Sequence, residues 1–320
     1  MANGIAYGPV NSRRLGVSLG VNNIPAKNCT YSCVYCQIGR TTGYRWERGR
    51  FYGTKEVFTQ VSERLREIRL AGGRVDYITF VPDGEPTLDD ELGAEIERLK
   101  GLGVPIAVIT NSSLLWRGDV RDDLALADLV SVKVDTVDEG LWRRINRPHH
   151  GIGLGIILKG IEDFAQGYRG TLISETMALG GVEQDFGGVA EFLWRLRGLK
   201  TAYISSVTRP PTEPWVSLAP WPTLRAAERV FAEKLGKERV AILPHHEGDL
   251  PSHADVEDAE GAVLGIVAVH PLREDVVRKY LEKAGLGWEV IDRLVKQGKI
   301  KVTEYEDKRY IKRNFGDQTG

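Results

Sequence analysis

The sequence predicts an α/β fold in which six strands of a parallel sheet alternate with helices, followed by a small C-terminal domain. Short apolar runs rich in β-branched and aromatic residues alternate along the chain with segments whose apolar residues recur at helical spacing. This alternation is typical of βαβ units and therefore of a parallel sheet. Near residue 240 it gives way to a polar stretch with Pro, His and Gly, which predicts a domain boundary.

The elements follow in chain order from this pattern. An early strand is predicted near 15–21, and the first long helix over 54–71, where the helical pattern ends at Gly72 and Gly73. The later predicted strands are 75–81, 105–110, 128–135, 170–177 and 201–207. The later predicted helices are 88–103, 119–126, 138–146, 153–166, 186–198 and 223–236. In parallel α/β folds ligands bind at the carboxyl ends of the strands, so the residues after each strand are the candidate site.

The C-terminal part of the chain predicts a winged helix. Helical patterns over 271–285 and 287–298 each end at a glycine, and 299–313 alternates apolar and polar residues around a turn at Glu306 and Asp307. Helix, helix and hairpin in this order are the outline of a winged helix. The predicted domains are a core at 1–240 with a cysteine loop at 23–40, a linker at 241–262 and a winged helix at 263–320.

Composition and charge exclude several classes of protein. The chain has 320 residues, of which 42% are hydrophobic, and a formal net charge of −1, so no global field attracts it to nucleic acid or membranes. No basic start is followed by an apolar run, and no stretch approaches the roughly 18 to 20 apolar residues of a membrane span. We therefore expect a soluble, cytoplasmic protein with no membrane partner.

All three cysteines lie in one loop, CTYSCVYC at 29–36. An odd, clustered set does not fit a disulfide scaffold and favours a soft metal or an iron–sulfur cluster. Three thiolates can hold three corners of a cubane cluster and leave one iron open to a substrate. Structural zinc is an alternative, but it takes four ligands, and no histidine follows within the next hundred residues. A redox dithiol would leave the third cysteine unexplained.

The spacing C-x3-C-x2-C, with Tyr35 before the last cysteine and a strand before the loop, resembles the radical S-adenosylmethionine (radical SAM) superfamily. The resemblance covers about residues 5–215 and implies a partial (β/α)6 TIM-like barrel. It implies that Cys29, Cys33 and Cys36 hold a [4Fe–4S] cluster whose open iron binds S-adenosylmethionine (SAM). It also implies an enzyme. One electron, from a donor of the ferredoxin or flavodoxin type, cleaves SAM to a 5′-deoxyadenosyl radical that abstracts hydrogen from a substrate.

The resemblance further implies cofactor contacts at the strand ends. In PDGEPTL at 82–88, Gly84 lets the backbone approach SAM, and Glu85 or the neighbouring backbone accepts its ammonium group. A plain turn with a helix cap at Thr87 is the alternative. Ribose and carboxylate ligands are implied on the following strands, although ordinary salt bridges such as Lys133 with Glu175 compete with this interpretation. The assigned cofactor contacts are Tyr35, Gly84, Glu85, Asn111, Ser131, Asp135 and Glu175.

Basic residues near the strand ends are candidates for the substrate. Arginine forms bidentate bonds to phosphate and carboxylate, and YGPVNSRRLG at 7–16 and WRRINRPHHG at 142–151 both supply arginines. Solvation on the surface is the alternative for any one of them. The assigned substrate residues are Arg13, Arg14, Lys133, Arg147 and Arg209.

Several motifs, including TRPPTEPWV at 208–216, resemble radical SAM proteins related to tRNA wyosine synthase. Wyosine synthase carries a second cluster on further cysteines, which this chain lacks, so wyosine synthesis itself is not expected. We predict a radical SAM enzyme acting on RNA through the winged helix, where 271–320 holds 12 Lys and Arg against 9 Asp and Glu. Modification of a protein or peptide is the first alternative. A redox-sensing DNA regulator is the second, but a sensor needs no cofactor pocket.

Overall fold

The computed structural model describes residues 4–243, 259–267 and 271–314. Its strands are β1 (Ala6–Ser12), β2 (Gly16–Val21), β3 (Asn28–Cys29), β4 (Gly43–Tyr44), β5 (Tyr77–Phe80), β6 (Ile106–Ile109), β7 (Leu129–Lys133), β8 (Thr171–Gly180), β9 (Leu199–Ser206), β10 (Ser217–Leu218), β11 (Val240–Ile242), β12 (Leu272–Arg273), β13 (Ile300–Tyr305) and β14 (Lys308–Arg313). Its helices are α1 (Thr54–Leu70), α2 (Leu92–Lys100), α3 (Gly118–Ala125), α4 (Glu139–Ile145), α5 (Leu154–Gly167), α6 (Phe186–Arg195), α7 (Trp221–Leu235), α8 (Ala259–Val267), α9 (Glu274–Lys283) and α10 (Glu289–Lys296).

The main sheet is mostly parallel, as the alternation of patterns predicted. Its parallel strands run in the order β2–β5–β6–β7–β8–β9–β11. Strand β1 adds an antiparallel strand beside β2, and β10 pairs antiparallel with the end of β8. The sheet order ends at β1 and β11, which do not pair with each other in the described chain. The fold is therefore a partial TIM-like barrel, and the predicted α/β class is confirmed.

The helices pack on the sheet through apolar stripes. In α1 the buried residues are Val57, Val61, Leu65 and Ile68, a spacing that lines one face of a helix. They share one apolar core with buried strand residues such as Ile78 and Phe80 of β5. None of the helices in the described ranges has the length and apolar character needed to cross a bilayer.

Several elements differ from the sequence prediction, among them the short strands β3, β4, β10 and β12, which were not predicted, and α8, which begins inside the predicted linker. Strand β1 was not predicted, because its apolar residues are interrupted by polar ones and it pairs only on one side. Helix α2 begins later than the predicted 88–103, because Pro86–Leu88 forms a separate 3-10 turn capped by Glu85. Strand β11 lies across the predicted end of the core at 240, and its Val240 and Ile242 pack on the main core.

The C-terminal unit has its own small core and sheet. Its elements are α8, β12, α9, α10 and the β13–β14 hairpin, with sheet order β12–β14–β13. The helix, helix and hairpin predicted from the sequence are present, and Glu306 and Asp307 form the turn with φ of 48° and 57°, the left-handed pair of a two-residue hairpin. The winged-helix designation stays a prediction. Most of the predicted linker, 244–258, lies outside the described residues.

The C-terminal unit contacts the barrel at the carboxyl end of β9. The Tyr305 hydroxyl donates a hydrogen bond to the carbonyl of Val207 (3.1 Å), and the Tyr310 hydroxyl donates one to the carbonyl of Thr208 (3.0 Å). Val10 of β1 packs against the apolar core of the C-terminal unit. The unit thus lies over the end of the sheet where a ligand site is expected.

Candidate active site

The candidate residues converge at the carboxyl ends of the parallel strands. The cysteine loop follows β2, residues 82–86 follow β5, residues 110–113 follow β6, and Asp135 follows β7. Glu175 lies within β8, and Arg209 follows β9. The structure therefore brings these candidate residues together at the edge of the sheet that the strand-end rule indicates.

Two contacts fix the backbone of the cysteine loop. Strand β3, which contains Cys29, pairs with β4 in a parallel two-stranded sheet. The turn after α4 provides the other support: the amide of Ser32 donates to the carbonyls of Asn146 (3.2 Å) and Arg147 (3.0 Å), and the amide of Val34 donates to Ile145 (2.9 Å). Nothing in the local sequence of 145–147 indicates that it supports the loop.

The cysteines are unpaired and partly covered. Burial raises the pKa of the Cys33 thiol to about 12, and the neighbouring Cys36 adds to this rise. Burial and the nearby Glu85 raise the pKa of Cys29 well above its usual value, and burial also raises that of Cys36. Closely spaced thiolates in a covered site need a compensating cation, which is the chemistry of a metal-cluster ligand set.

Amide side chains direct hydrogen bonds at two of the cysteine sulfurs. The Asn146 amide nitrogen donates to Sγ of Cys33 at 3.6 Å and to the Tyr35 hydroxyl at 2.8 Å. It also lies 2.7 Å from the Asp135 carboxylate, which accepts a hydrogen bond from the Tyr35 hydroxyl. The Asn111 amide nitrogen donates to Sγ of Cys29 at 3.4 Å. Sequence reasoning missed Asn146, whose position in a helix-end turn carries no motif.

Glu85 is buried, and its carboxylate is occupied by neighbouring donors. One oxygen accepts bonds from the hydroxyls of Thr87 and Thr110, both at 2.6 Å, and the other accepts the amide of Asn111 at 2.7 Å. The pKa of Glu85 is raised, because the effect of burial exceeds the opposing effect of these hydrogen bonds. The carboxylate therefore ties the strand ends together, and the contact of this motif with the SAM ammonium group stays a prediction.

Gly84 is placed where only glycine fits. A Cβ on Gly84 would lie 2.0 Å from the backbone oxygen of Asn28, on the cysteine loop. The amide of Glu85 donates to that same oxygen at 3.0 Å. The Gly-Glu-Pro turn and the cysteine loop are thus held in direct backbone contact.

A cavity of about 360 Å³ opens beside the cysteine loop. That volume falls in the range of about 300 to 1,000 Å³ typical of small-molecule sites. Tyr35 and Cys36 form one wall, Glu175 and Met177 of β8 another, and Leu272 of the C-terminal unit a third. A cysteine of the loop and residues of the C-terminal unit therefore line the same space.

A buried group of charges lies at one side of this cavity. Arg14 forms a salt bridge with Glu175, and Lys133 Nζ lies 3.6 Å from Glu175 and 3.3 Å from Asp135. Burial, together with the like charge of the adjacent Arg13, lowers the pKa of Arg14 to about 10. The salt bridge between Lys133 and Glu175, which the sequence left open as an alternative to cofactor contact, is present.

The other assigned residues divide between the cavity and its surroundings. Arg13 and Arg209 line the cavity, and Arg209 donates to the Gln37 side chain at 2.7 Å. Arg147 instead pairs with Glu213 at 2.6 Å, on the outer side of the cysteine loop.

Ser131 is buried in β7 and lies outside the cavity wall. Glu213, which also pairs with Arg40, was not predicted because a lone acid after a strand carries no signal.

The donor set fits a cluster bound by three thiolates. Three free thiols share one loop, two of them accept amide hydrogen bonds, and one borders a cavity of cofactor size. The sequence of residues 23–193 matches the family model described as the Radical SAM superfamily. The chain is a member of the radical SAM superfamily. The family implies a [4Fe–4S] cluster and SAM as cofactors and identifies the chain as a radical SAM enzyme.

One relative of this radical SAM protein matches almost its whole length, and another matches about half of it. It is 44% identical over 314 residues to UPF0026 protein MJ1312 of Methanocaldococcus jannaschii, covering 97% of this chain and 96% of the relative. It is 44% identical over 180 residues to UPF0026 protein slr1464 of Synechocystis, covering 54% of this chain and 64% of the relative.

Solved structures agree with the fold. A structure of TYW1 with a lysine-pyruvate adduct bound matches with a TM-score of 0.53 at 15% identity, covering 71% of this chain and 76% of the other. A radical SAM methyltransferase from Sphaerobacter thermophilus matches with a TM-score of 0.53 at 17% identity, covering 70% and 65%. At these identities the likeness concerns the fold of the barrel.

Proposed function

We propose that this radical SAM enzyme modifies RNA and that its C-terminal hairpin holds the RNA backbone near the cysteine loop. The observation that carries the proposal is the position of two lysines: Lys301 of β13 and Lys312 of β14 are direct cross-strand partners. Like charges opposite each other destabilise a strand pair. A phosphate group between them would offset that repulsion.

The lysine pair lies beside the cysteine site. Lys27, two residues before Cys29, is close enough to both Lys301 and Lys312 to act on them electrostatically. Burial lowers the pKa of Lys312, and the like charges of Lys301 and Lys27 lower it further. Arg313, next in the chain, lies near the buried Asp83 of the strand-end turn. Basic side chains from the barrel and the hairpin thus meet at the active-site edge.

The cofactors and the protein have separate tasks in this scheme. When bound, the cluster and SAM supply one-electron cleavage of the sulfonium and the radical that removes a substrate hydrogen. The barrel shields this chemistry with the cavity wall, where Leu272 and Val276 come from the C-terminal unit. The lysine pair supplies sequence-independent attraction for phosphate.

The test measures SAM cleavage and RNA binding together. Reconstituted enzyme with dithionite should release more 5′-deoxyadenosine when an RNA fraction is added, and RNase treatment of that fraction should remove the stimulation. K301A and K312A should weaken RNA binding and lower its salt slope by about 0.7 to 0.9 for each lost phosphate contact. K308A, an exposed lysine at the tip of the same hairpin, is the matched control. Stimulation that survives RNase but not protease would replace RNA with a protein or peptide substrate.

A further inference from the structure

An aromatic ladder lies on the outer side of the cysteine loop. The rings of His149 and His150 are stacked, with centroids 4.2 Å apart and 29° between their planes. The Tyr44 ring lies 5.2 Å from that of His149 and is tilted by 60° against it. Tyr44 is 40% exposed, and His150 is exposed. Three consecutive rings with exposed members at both ends form a surface on which a further flat ring can stack.

The ladder is held rigidly against the loop. The Tyr44 hydroxyl donates to the carbonyl of Arg147 at 2.7 Å, and the amide of His149 donates to the carbonyl of Thr30 at 2.8 Å. The His149 ring accepts a bond from the amide of Gly151 at 3.2 Å. Arg147 itself has φ of 46°, a left-handed conformation that a non-glycine residue adopts only at a cost. These contacts fix the rings before any ligand arrives.

The charges around the ladder favour an anionic, aromatic ligand. Arg40 and Arg147 both pair with Glu213, and Arg45 donates to the carbonyl of Glu47. Glu47 lies near His149. The three arginines outnumber the two acids, so the local balance is positive. Basic groups interleaved with stacked rings are the usual means of holding single-stranded nucleic acid.

The ladder also lies close to the chemistry. Tyr44 belongs to β4, whose partner strand β3 contains Cys29, and Lys27 lies directly before β3. A strand of RNA that contacts the lysine pair and Lys27 would therefore pass the ladder within a few residues of the cluster ligands. We infer that Tyr44, His149 and His150 stack an unpaired base flanking the nucleotide that is modified. This inference rests on the proposed RNA substrate.

The experiment measures binding of labelled single-stranded and duplex RNA to the reconstituted enzyme by fluorescence anisotropy. Y44A and H150A should each weaken single-stranded binding about tenfold, the range of one lost base stack, and leave duplex binding unchanged. H150F should bind single-stranded RNA as the wild type does, because a phenyl ring also stacks on a base. W194A, which removes an exposed tryptophan on α6, is the control and should bind as the wild type does. Iron content and absorbance of each variant verify that its cluster is intact.

The outcomes separate this inference from the proposed function. Wild-type affinity in Y44A and H150A, with weakened binding in K301A, would overturn the stacking role and leave the RNA substrate in place. Equal losses of duplex and single-stranded binding in Y44A would also overturn it. A wild-type enzyme that binds neither RNA form would overturn both. If the ladder variants lost only stimulation by a protein fraction, the surface would belong to a protein partner and the inference would be wrong.

Discussion

The side-chain amide of Asn146 points its nitrogen at the sulfur of Cys33, 3.6 Å away. Hydrogen bonds to cysteine sulfurs set the reduction potential of iron–sulfur clusters, because they stabilise the more negative reduced state. A residue in the turn after α4 thus contacts a predicted cluster ligand that lies more than a hundred residues earlier in the chain, and we expect it to affect the reduction potential of the cluster.

Removing this contact should make the cluster harder to reduce. For N146A we expect a midpoint potential lower by about 60 mV, the equivalent of about 1.4 kcal/mol for a one-electron couple. Redox titration followed by electron paramagnetic resonance measures it. N111A, which removes the amide bond to Cys29, should act in the same direction. An unchanged potential in both variants, with full iron content, would show that these amides do not act on the cluster.

The three cysteines and Glu85 should have separable effects. C33A should lose the cluster, measured as iron and sulfide per chain. E85A should keep the cluster but lower the thermal midpoint, because four hydrogen bonds lose their buried acceptor at a cost of about 1 to 3 kcal/mol. E85A should also weaken SAM binding, measured by calorimetry. Glu85 ties together the strand ends next to the Gly-Glu-Pro turn, which is the predicted SAM contact. Equal cluster content in C33A and wild type would end the ligand assignment.

The salt bridge between Arg14 and Glu175 should contribute to the free energy of unfolding of the protein. E175A removes the carboxylate that the partly buried Arg14 and Lys133 share, while Lys133 keeps Asp135 as a partner. We expect a loss above the roughly 1 kcal/mol of a surface pair and below the roughly 3 to 5 kcal/mol of a fully buried pair. A urea titration should show this as a lower midpoint with an unchanged slope. The surface pair of Lys159 with Asp163 gives the control, since D163A should cost under about 1 kcal/mol. Equal losses in the two variants would contradict the buried role.

Glu95 should make the stability of the protein fall as the pH rises from 4.5 to about 9. It is buried in α2, and burial, with Asp89 and Glu91 nearby, raises its pKa to about 9 although the Asn23 side chain acts in the opposite direction. The folded state thus keeps a proton that the unfolded state releases near pH 4.5. Stability is full below that pH and falls as the pH rises towards 9, by a few kcal/mol. E95Q should flatten this decline in urea titrations, and an unaltered profile would contradict the assignment.

The two tyrosines that join the units should control access to the cavity. Y305F and Y310F each remove a hydroxyl bond to the β9 end. In the double variant we expect faster hydrogen exchange of the C-terminal unit and more SAM cleavage without substrate, because water enters the cavity more often. Mass spectrometry and the 5′-deoxyadenosine assay measure these two effects. Unchanged exchange would show that other contacts hold the unit.

The sequence predicted the site best where chemistry requires a residue type at a fixed spacing. Cys29, Cys33 and Cys36 stand out because cluster binding needs thiolates, and their role as ligands stays a prediction. Gly84 was predicted to let the backbone approach SAM, and the close approach that the structure shows is to the backbone of Asn28. Asn146 was not visible, because its function depends on how a turn folds back across the barrel. Strand β11 was missed since three residues give too little pattern. The lysine pair and the aromatic ladder consist of residues that are distant in the sequence and meet only in the folded chain, so no local pattern predicts them.

Leu272 and Val276 line the cavity beside the cysteine loop although they lie well beyond residues 23–193, the part that matches the superfamily. Under the proposed function, radical generation and target recognition are therefore encoded in different stretches of this polypeptide. Evolution can then replace the C-terminal unit, which forms one wall of the cavity, while it preserves the barrel that generates the radical. The same radical chemistry would in this way act on unrelated targets.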